Sequence, residues 1–302
     1  MRGTWYVIPT PFREDGALDL ESLRRLVDAA VSWQVDGLLT MGIMSEVAAL
    51  SPEERDAALE AIMEAAGDRV PVAVGCSAPV AGRVVDLARR AADLGAAAVL
   101  VSAPPLARNL DALPAFFAEA AKGGLPLVIQ DEPAATGVKL PVSMLLRCLE
   151  ASGARAIKLE DPPTPQKLAR LLEADTGLEI FGGLGGVSAL SDIRRGAVGT
   201  MSGFAFPEIL RGILVAAEGG DAAAAAEIYD RYLPLIQFEG QPVIGLAIRK
   251  ELLRRRGVIE SAATRMPVGT LDRETLEELD EVLARVGVVP SIAPLGVPGH
   301  PG

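Results

Sequence analysis

The sequence predicts an α/β protein: a (β/α)8 TIM barrel of parallel strands followed by a C-terminal three-helix extension. Three observations carry the prediction. Short apolar runs alternate with amphipathic helical stretches from the start of the chain to about residue 220. Nearly every run is apolar along its whole length, as strands covered on both faces must be. There are eight such runs, a count that suits a closed barrel better than an open doubly wound sheet.

Taken in order, Trp5–Ile8 is the first strand, and Leu20–Trp33 follows as a helix whose Leu23, Leu26 and Val27 form a core-facing stripe at helical spacing. The phrase Val35-Asp36-Gly37-Leu38 puts a glycine where a helix ends and the second strand, Gly37–Met44, begins. Ser51-Pro52-Glu53-Glu54 supplies an N-cap, a proline at the first helical position and a glutamate at N3 for a helix over Pro52–Ala66. Strand Val72–Ser77 and helix Gly82–Leu94 come next, and Leu94-Gly95-Ala96-Ala97 announces strand Ala97–Ala103. Helix Ala112–Ala121, strand Leu127–Gln130, helix Val142–Ala151 and strand Ala154–Glu160 continue the alternation. Helix Pro165–Ala174, strand Leu178–Gly182 and helix Ala189–Arg195 lead through Arg195-Gly196-Ala197-Val198 to the eighth strand, Gly199–Phe204, and its helix Pro207–Ala217. Beyond a barrel over residues 1–220, Ala222–Gln237, Val243–Arg256 and Asp272–Val286 read as a helical extension over 221–290. The Pro/Gly-rich Ser291–Gly302 reads as a flexible tail, and Arg254-Arg255-Arg256 as a solvated face.

Composition narrows the function. Half of the 302 residues are hydrophobic and 23% are charged, enough for a substantial core. A net charge of −11 without a basic run of five or more argues against nucleic acid and anionic membrane as partners. No apolar stretch reaches the ~18 residues of a membrane span, and Met1-Arg2-Gly3-Thr4 leads directly into a strand with no leader pattern. Two distant cysteines in apolar contexts, Cys76 and Cys148, favour reduced thiols and a cytoplasmic location. The single histidine, His300, is isolated in the tail, so histidine catalysis and histidine-ligated metal sites are not expected; neither a metal nor any other cofactor is.

The chemistry then falls to lysine, carboxylates, hydroxyls and backbone amides. Lys158 interrupts the apolar sixth strand, and a period of two puts Ala156, Lys158 and Glu160 on one face. Glu160 lies roughly 6–7 Å further along, at the mouth where barrel active sites form. Burial disfavours the ammonium, and a neutral lysine amine is a nucleophile for ketones; a structural Lys158–Glu160 ion pair is the competing reading. Ser45 and Glu46, after the second strand, could bind an anionic substrate and move protons, or could be ordinary loop polarity. Gln130-Asp131-Glu132, after the fifth strand, is either a polar cluster or a solvated strand exit. The glycines of Phe181-Gly182-Gly183-Leu184-Gly185-Gly186 would let backbone amides approach a carboxylate or a phosphate, with Thr200 and Ser202 able to add hydroxyls to that corner. A phosphate-binding isomerase is an alternative that lacks the usual histidine.

With Lys158 on strand six and Gly42 to Glu46 after strand two, the chain resembles the dihydrodipicolinate synthase / N-acetylneuraminate lyase family of class I Schiff-base enzymes over residues 1 to about 290. The resemblance implies an imine between Lys158 and a 2-oxo acid. Several positions depart from the pattern of the synthases and aldolases. Their Gly-Thr-Thr-Gly-Glu is Gly42-Ile43-Met44-Ser45-Glu46 here, and their strand-five tyrosine is Gln130. Their paired tyrosines are missing from Ala103-Pro104-Pro105-Leu106, and the arginine after the strand-five motif aligns with Ala134-Ala135. Lysine-biosynthetic synthase activity is therefore not expected. A closer resemblance, to the branch containing L-2-keto-3-deoxyarabonate dehydratases, runs through Ser45-Glu46, Ile129 to Pro133, Lys158-Leu159-Glu160, Thr200 to Gly203 and Tyr232 to Ile236.

That branch implies dehydration of a small-molecule 2-keto-3-deoxy acid, with Lys158 as imine-forming residue and Glu160 as acid–base group. Ser45 or Glu46 would assist departure of the hydroxyl, while Gln130, Asp131 and Met44 contact substrate. Backbone at Gly183, with Ser202, would hold its carboxylate. A pyruvate-dependent aldolase and a non-catalytic 2-oxo-acid-binding paralogue are the alternatives. The family implies a homo-oligomer, tetramer or dimer. Substrate choice is expected to depend on Leu106–Asn109 and Leu184–Val187.

Overall fold

The computed structural model describes residues 1–105 and 107–297, so Leu106 and the end of the tail, with His300, lie outside the described residues. The chain forms β1 (Gly3–Val7), α1 (Leu20–Ser32), β2 (Gly37–Thr40), α2 (Pro52–Ala66), β3 (Val72–Gly75), α3 (Ala81–Asp93), β4 (Ala98–Ser102) and α4 (Leu113–Ala120). It continues through β5 (Leu127–Asp131), the single turn α5 (Pro133–Thr136), α6 (Val142–Ser152), β6 (Ala156–Leu159), α7 (Thr164–Ala174), β7 (Glu179–Gly182), α8 (Ala189–Arg194), β8 (Gly199–Ser202) and α9 (Pro207–Glu218). Three helices follow: α10 (Ala222–Glu239), α11 (Gly245–Arg255) and α12 (Arg273–Val286).

All strand pairs are parallel and β1 pairs with both β2 and β8, which closes the barrel. The period of two along each strand divides the apolar residues into two packed sets. One set, with Trp5, Leu39, Leu100, Val128, Ala156, Phe181 and Met201, fills the barrel interior. The other, with Ile129, Ile157 and Leu159, packs between strands and helices. Helix starts are set by side chains: Ser51 Oγ accepts from Glu54 N while Glu54 Oε2 accepts from Ser51 N, and Asp19, Asp221 and Asp272 cap α1, α10 and α12.

Three features differ from the sequence reading. The second strand stops at Thr40, not Met44, because Met41 adopts a φ of 55° and turns the chain into a 3-10 turn over Ile43–Ser45. Arg256 is no part of a solvated face: it is fully enclosed, paired with Glu208 at 2.7 Å and stacked on the rings of Trp33 and Phe206. Residues 291–297, read as flexible, dock on the barrel. The Ser291 and Ile292 carbonyls accept from Arg256 and Trp33, Leu295 N donates to Glu208, and Val297 is buried. Among the described residues no helix is long and apolar enough to cross a membrane.

Candidate active site

The site begins with β6. Its alternation turns Ala156 and Lys158 into the barrel and Ile157 and Leu159 toward the helices. Lys158 is 5% exposed, and its Nζ lies 3.1 Å from Glu160 Oε2. Neighbouring strands fix that carboxylate. Gln130 Nε2 on β5 donates to Glu160 Oε2 at 2.6 Å, and Leu184 N, beyond β7, donates to Oε1 at 3.3 Å. Gln130 is itself oriented by Ser102 Oγ on β4, which donates to its Oε1 at 3.1 Å. Each acceptor has a defined donor, so Glu160 stands in one orientation beside the amine.

Glu132 completes the group. It lies two residues beyond Gln130 and lines the Lys158 cavity together with Glu160. Its Oε2 accepts from Ala135 N at 3.0 Å, which caps α5. Burial, with the nearby Glu160 charge second, lifts the Glu132 carboxyl to about 7. A carboxylic acid that keeps much of its proton at neutral pH can serve as a general acid. In the sequence Glu132 is one of a polar cluster after the fifth strand, with nothing in its polarity alone to give it a role. The period of two that singled out Lys158 and Glu160 would also have paired Glu132 with Gln130.

Two cavities meet at the lysine. An inner one of about 70 Å³ is bounded by Leu39, Leu100 and Gln130. An outer one of about 670 Å³ opens beneath α10 and α11 and is lined by Met44, Ser202 and Leu184 among others. Met44 and Ser202 thus line the outer cavity, and Ser202 Oγ accepts from Phe204 N at 3.1 Å. Leu184 and Val187 of the expected specificity segment also line the outer cavity, whereas Leu106 lies outside the described residues.

Four expected site residues are placed elsewhere. The early turn at Met41 carries Ser45 and Glu46 away from Lys158. Ser45 Oγ donates to the Ile8 carbonyl, and Glu46, 1% exposed, pairs with Lys250 Nζ and accepts from the Arg265 and Met266 amides. Neither hydroxyl nor carboxylate is left to assist a leaving group. Asp131 faces out of the barrel, in contact with Lys167 at 2.5 Å, and burial raises its carboxyl to about 6. It is a bracket between β5 and α7, not a substrate contact. The Gly183 amide is already donated to Leu159 O at 3.2 Å and is not available to a substrate carboxylate.

Gly183 has a different duty. A Cβ there would lie 2.3 Å from Glu160 Cγ, so the glycine makes room for the carboxylate. Gly183→Ala is expected to push Glu160 off the amine and lower kcat/KM by about 10²-fold, the usual consequence of a misplacement near 1 Å. Steady-state kinetics of folded protein check this, and unchanged kinetics would show that Glu160 needs no such room. Glu46 predicts the opposite pattern. Lys250→Met strands a buried carboxylate and is expected to cost about 3–5 kcal/mol of stability, read from the denaturant midpoint. Glu46→Gln should lower stability without abolishing turnover, and a stable but inactive Glu46→Gln protein would return Glu46 to the chemistry.

Among the described residues no group of three or more potential ligands could hold a metal ion. No tyrosine lines either cavity. The Tyr6 hydroxyl is buried without a hydrogen-bond partner, and Tyr229 and Tyr232 belong to α10.

Known proteins resemble the chain over nearly its whole length. The Dihydrodipicolinate synthetase family model matches residues 1–286. An L-2-keto-3-deoxyarabonate dehydratase of Azospirillum brasilense is 33% identical over 297 residues, 94% of each chain. A 4-hydroxy-tetrahydrodipicolinate synthase of Corynebacterium aurimucosum is 33% identical over 285 residues, 93% of each chain. The crystal structure of dihydrodipicolinate synthase from Rhodopseudomonas palustris superposes with a TM-score of 0.89 at 32% identity, covering 94% of this chain and 97% of that one.

Proposed function

The chain belongs to the Dihydrodipicolinate synthetase family, and from that membership we propose that it is a Schiff-base-forming dehydratase of a 2-keto-3-deoxy sugar acid. The observation that carries the reading is the pair of carboxyl groups around Lys158, Glu160 held against the amine and Glu132 lifted to about 7, in a cavity without a tyrosine. The likeness to the Azospirillum dehydratase supports it, and the equal likeness to a synthase leaves the choice to the site's chemistry.

The steps follow from charge and reach. Glu160 takes a proton from the Lys158 ammonium 3.1 Å away, and the neutral amine adds to the C2 ketone. Glu160 returns that proton to the carbinolamine hydroxyl, which leaves as water; this restores the carboxylate and gives an iminium, which acidifies the C3 hydrogens. Glu160 removes one of them to give an enamine. The enamine electrons expel the C4 hydroxyl as water, with the proton supplied by Glu132. A carboxyl near 7 gives up a proton readily at that step and is still about half protonated at neutral pH beforehand. Where C5 carries a hydroxyl, loss of its hydrogen and return of a proton at C3 produce an enol that ketonises to a new carbonyl. Hydrolysis of the imine frees Lys158. One water is lost overall, because the water released on forming the imine returns on hydrolysis.

Incubation with a panel of 2-keto-3-deoxy acids, followed by product mass, tests the reading. A product 18 mass units below the substrate is expected. Pyruvate plus an aldehyde would indicate carbon–carbon cleavage and overturn the dehydratase assignment.

A further inference from the structure

We propose that Arg249 determines substrate specificity by receiving, on its terminal guanidinium nitrogens, the oxygen atoms at the end of the 2-keto acid remote from the ketone. The proposal rests on the imine reading of Lys158 and adds the opposite end of the substrate. Arg249 projects from α11 and is 5% exposed, yet it lines the outer cavity. Its Nε donates to Glu239 Oε1 at 2.6 Å, and Glu239 Oε2 is held by Ala205 N at 2.9 Å, so the guanidinium is fixed in direction. No described residue accepts from its Nη1 or Nη2. The chain makes room for this edge at Gly203, where a Cβ would sit 2.7 Å from Nη1. Lys158 and Arg249 are the two cationic residues that line this cavity among the described residues.

The two cavities assign the ends of the substrate. The inner one, about 70 Å³, is far smaller than the outer one of about 670 Å³, and Arg249 does not border it. Arg249 borders the outer cavity, so a substrate joined to Lys158 at C2 reaches it with a tail that extends beneath α10 and α11. A nearly buried guanidinium with an unfilled donor edge is costly to maintain, and its planar fork matches a pair of oxygens. A terminal carboxylate and a pair of vicinal hydroxyls present that same acceptor chemistry.

Borohydride trapping of the Lys158 imine gives a half-saturation concentration for each acid and tests the proposal. The probes are pyruvate, which has no tail, a 2-keto-3-deoxy acid ending in hydroxyls, and one ending in a carboxylate. Arg249→Lys keeps the charge and loses the fork. The double variant Arg249→Met with Glu239→Gln removes both members of the buried pair, so that no lone charge threatens folding. Both are expected to raise half-saturation for a tailed acid roughly tenfold to a hundredfold and to leave pyruvate at its wild-type value. The tailed acid that loses more identifies the natural tail. Equal weakening of all three acids, or no change in any, overturns the proposal. Failure of the unaltered protein to trap any acid overturns the imine reading itself, and this proposal with it.

Discussion

Lys158→Met is expected to abolish borohydride trapping and to lower turnover by roughly four orders of magnitude or more, the scale seen when a covalent nucleophile is removed. The fold should survive, because Glu160 retains its donors from Gln130 and Leu184. The barrel layer beneath, formed with Ala156, Phe181 and Met201, is already apolar and accepts a methionine. Mass spectrometry of the trapped protein and a kinetic assay check the expectation. Substantial turnover by the variant would leave the Lys158–Glu160 contact as a structural ion pair and remove the amine from the reaction.

Glu132→Gln carries the second large effect. Removing a general acid is expected to lower kcat about 10²- to 10⁴-fold. The pH profile discriminates further. With its carboxyl raised to about 7, Glu132 is protonated below that pH and loses its proton above it. Activity that needs the acid form should therefore fall as pH rises through about 7, and the glutamine variant should lack that descending limb. The same shift has a stability consequence of definite sign. A carboxyl whose folded value lies above its unfolded value of about 4.3 favours folding most below the unfolded value. That advantage is lost as pH rises through the folded value. Relative to the parent, Glu132→Gln should gain stability between about pH 4 and 7 and keep the gain above it. Unchanged pH dependence in both kinetics and melting would place the acid elsewhere.

The barrel and the Lys158–Glu160 pair could be read from the chain because both rest on short-range periodicity. Alternation of apolar runs marks strands and helices, and a period of two places residues 156, 158 and 160 on one face. The same rule held at β5, where Gln130 and Glu132 turn inward and Asp131 outward. The polarity of Asp131 suggests a substrate contact, but its phase in the strand turns it away from the barrel interior. The positions of Ser45 and Glu46 are not legible in the sequence, for a different reason. The left-handed conformation of Met41, which ends β2 early, occurs at a residue that carries no sign of it. Arg256 and Arg249 depend on helix α11 meeting the barrel from far along the sequence. Their partners Glu208, Trp33 and Glu239 are set by tertiary packing that no local pattern expresses. At Gly183 the sequence suggests backbone freedom, whereas the glycine's contribution is space for the Glu160 side chain.

The most direct measurement is the mass of the peptide containing Lys158 after borohydride is added during turnover of a 2-keto-3-deoxy acid. A reduced adduct on Lys158 is expected that includes the substrate's whole carbon skeleton less the water lost across C3 and C4. An adduct of pyruvate size, an adduct on another lysine, or product formed with Lys158 unmodified would contradict it.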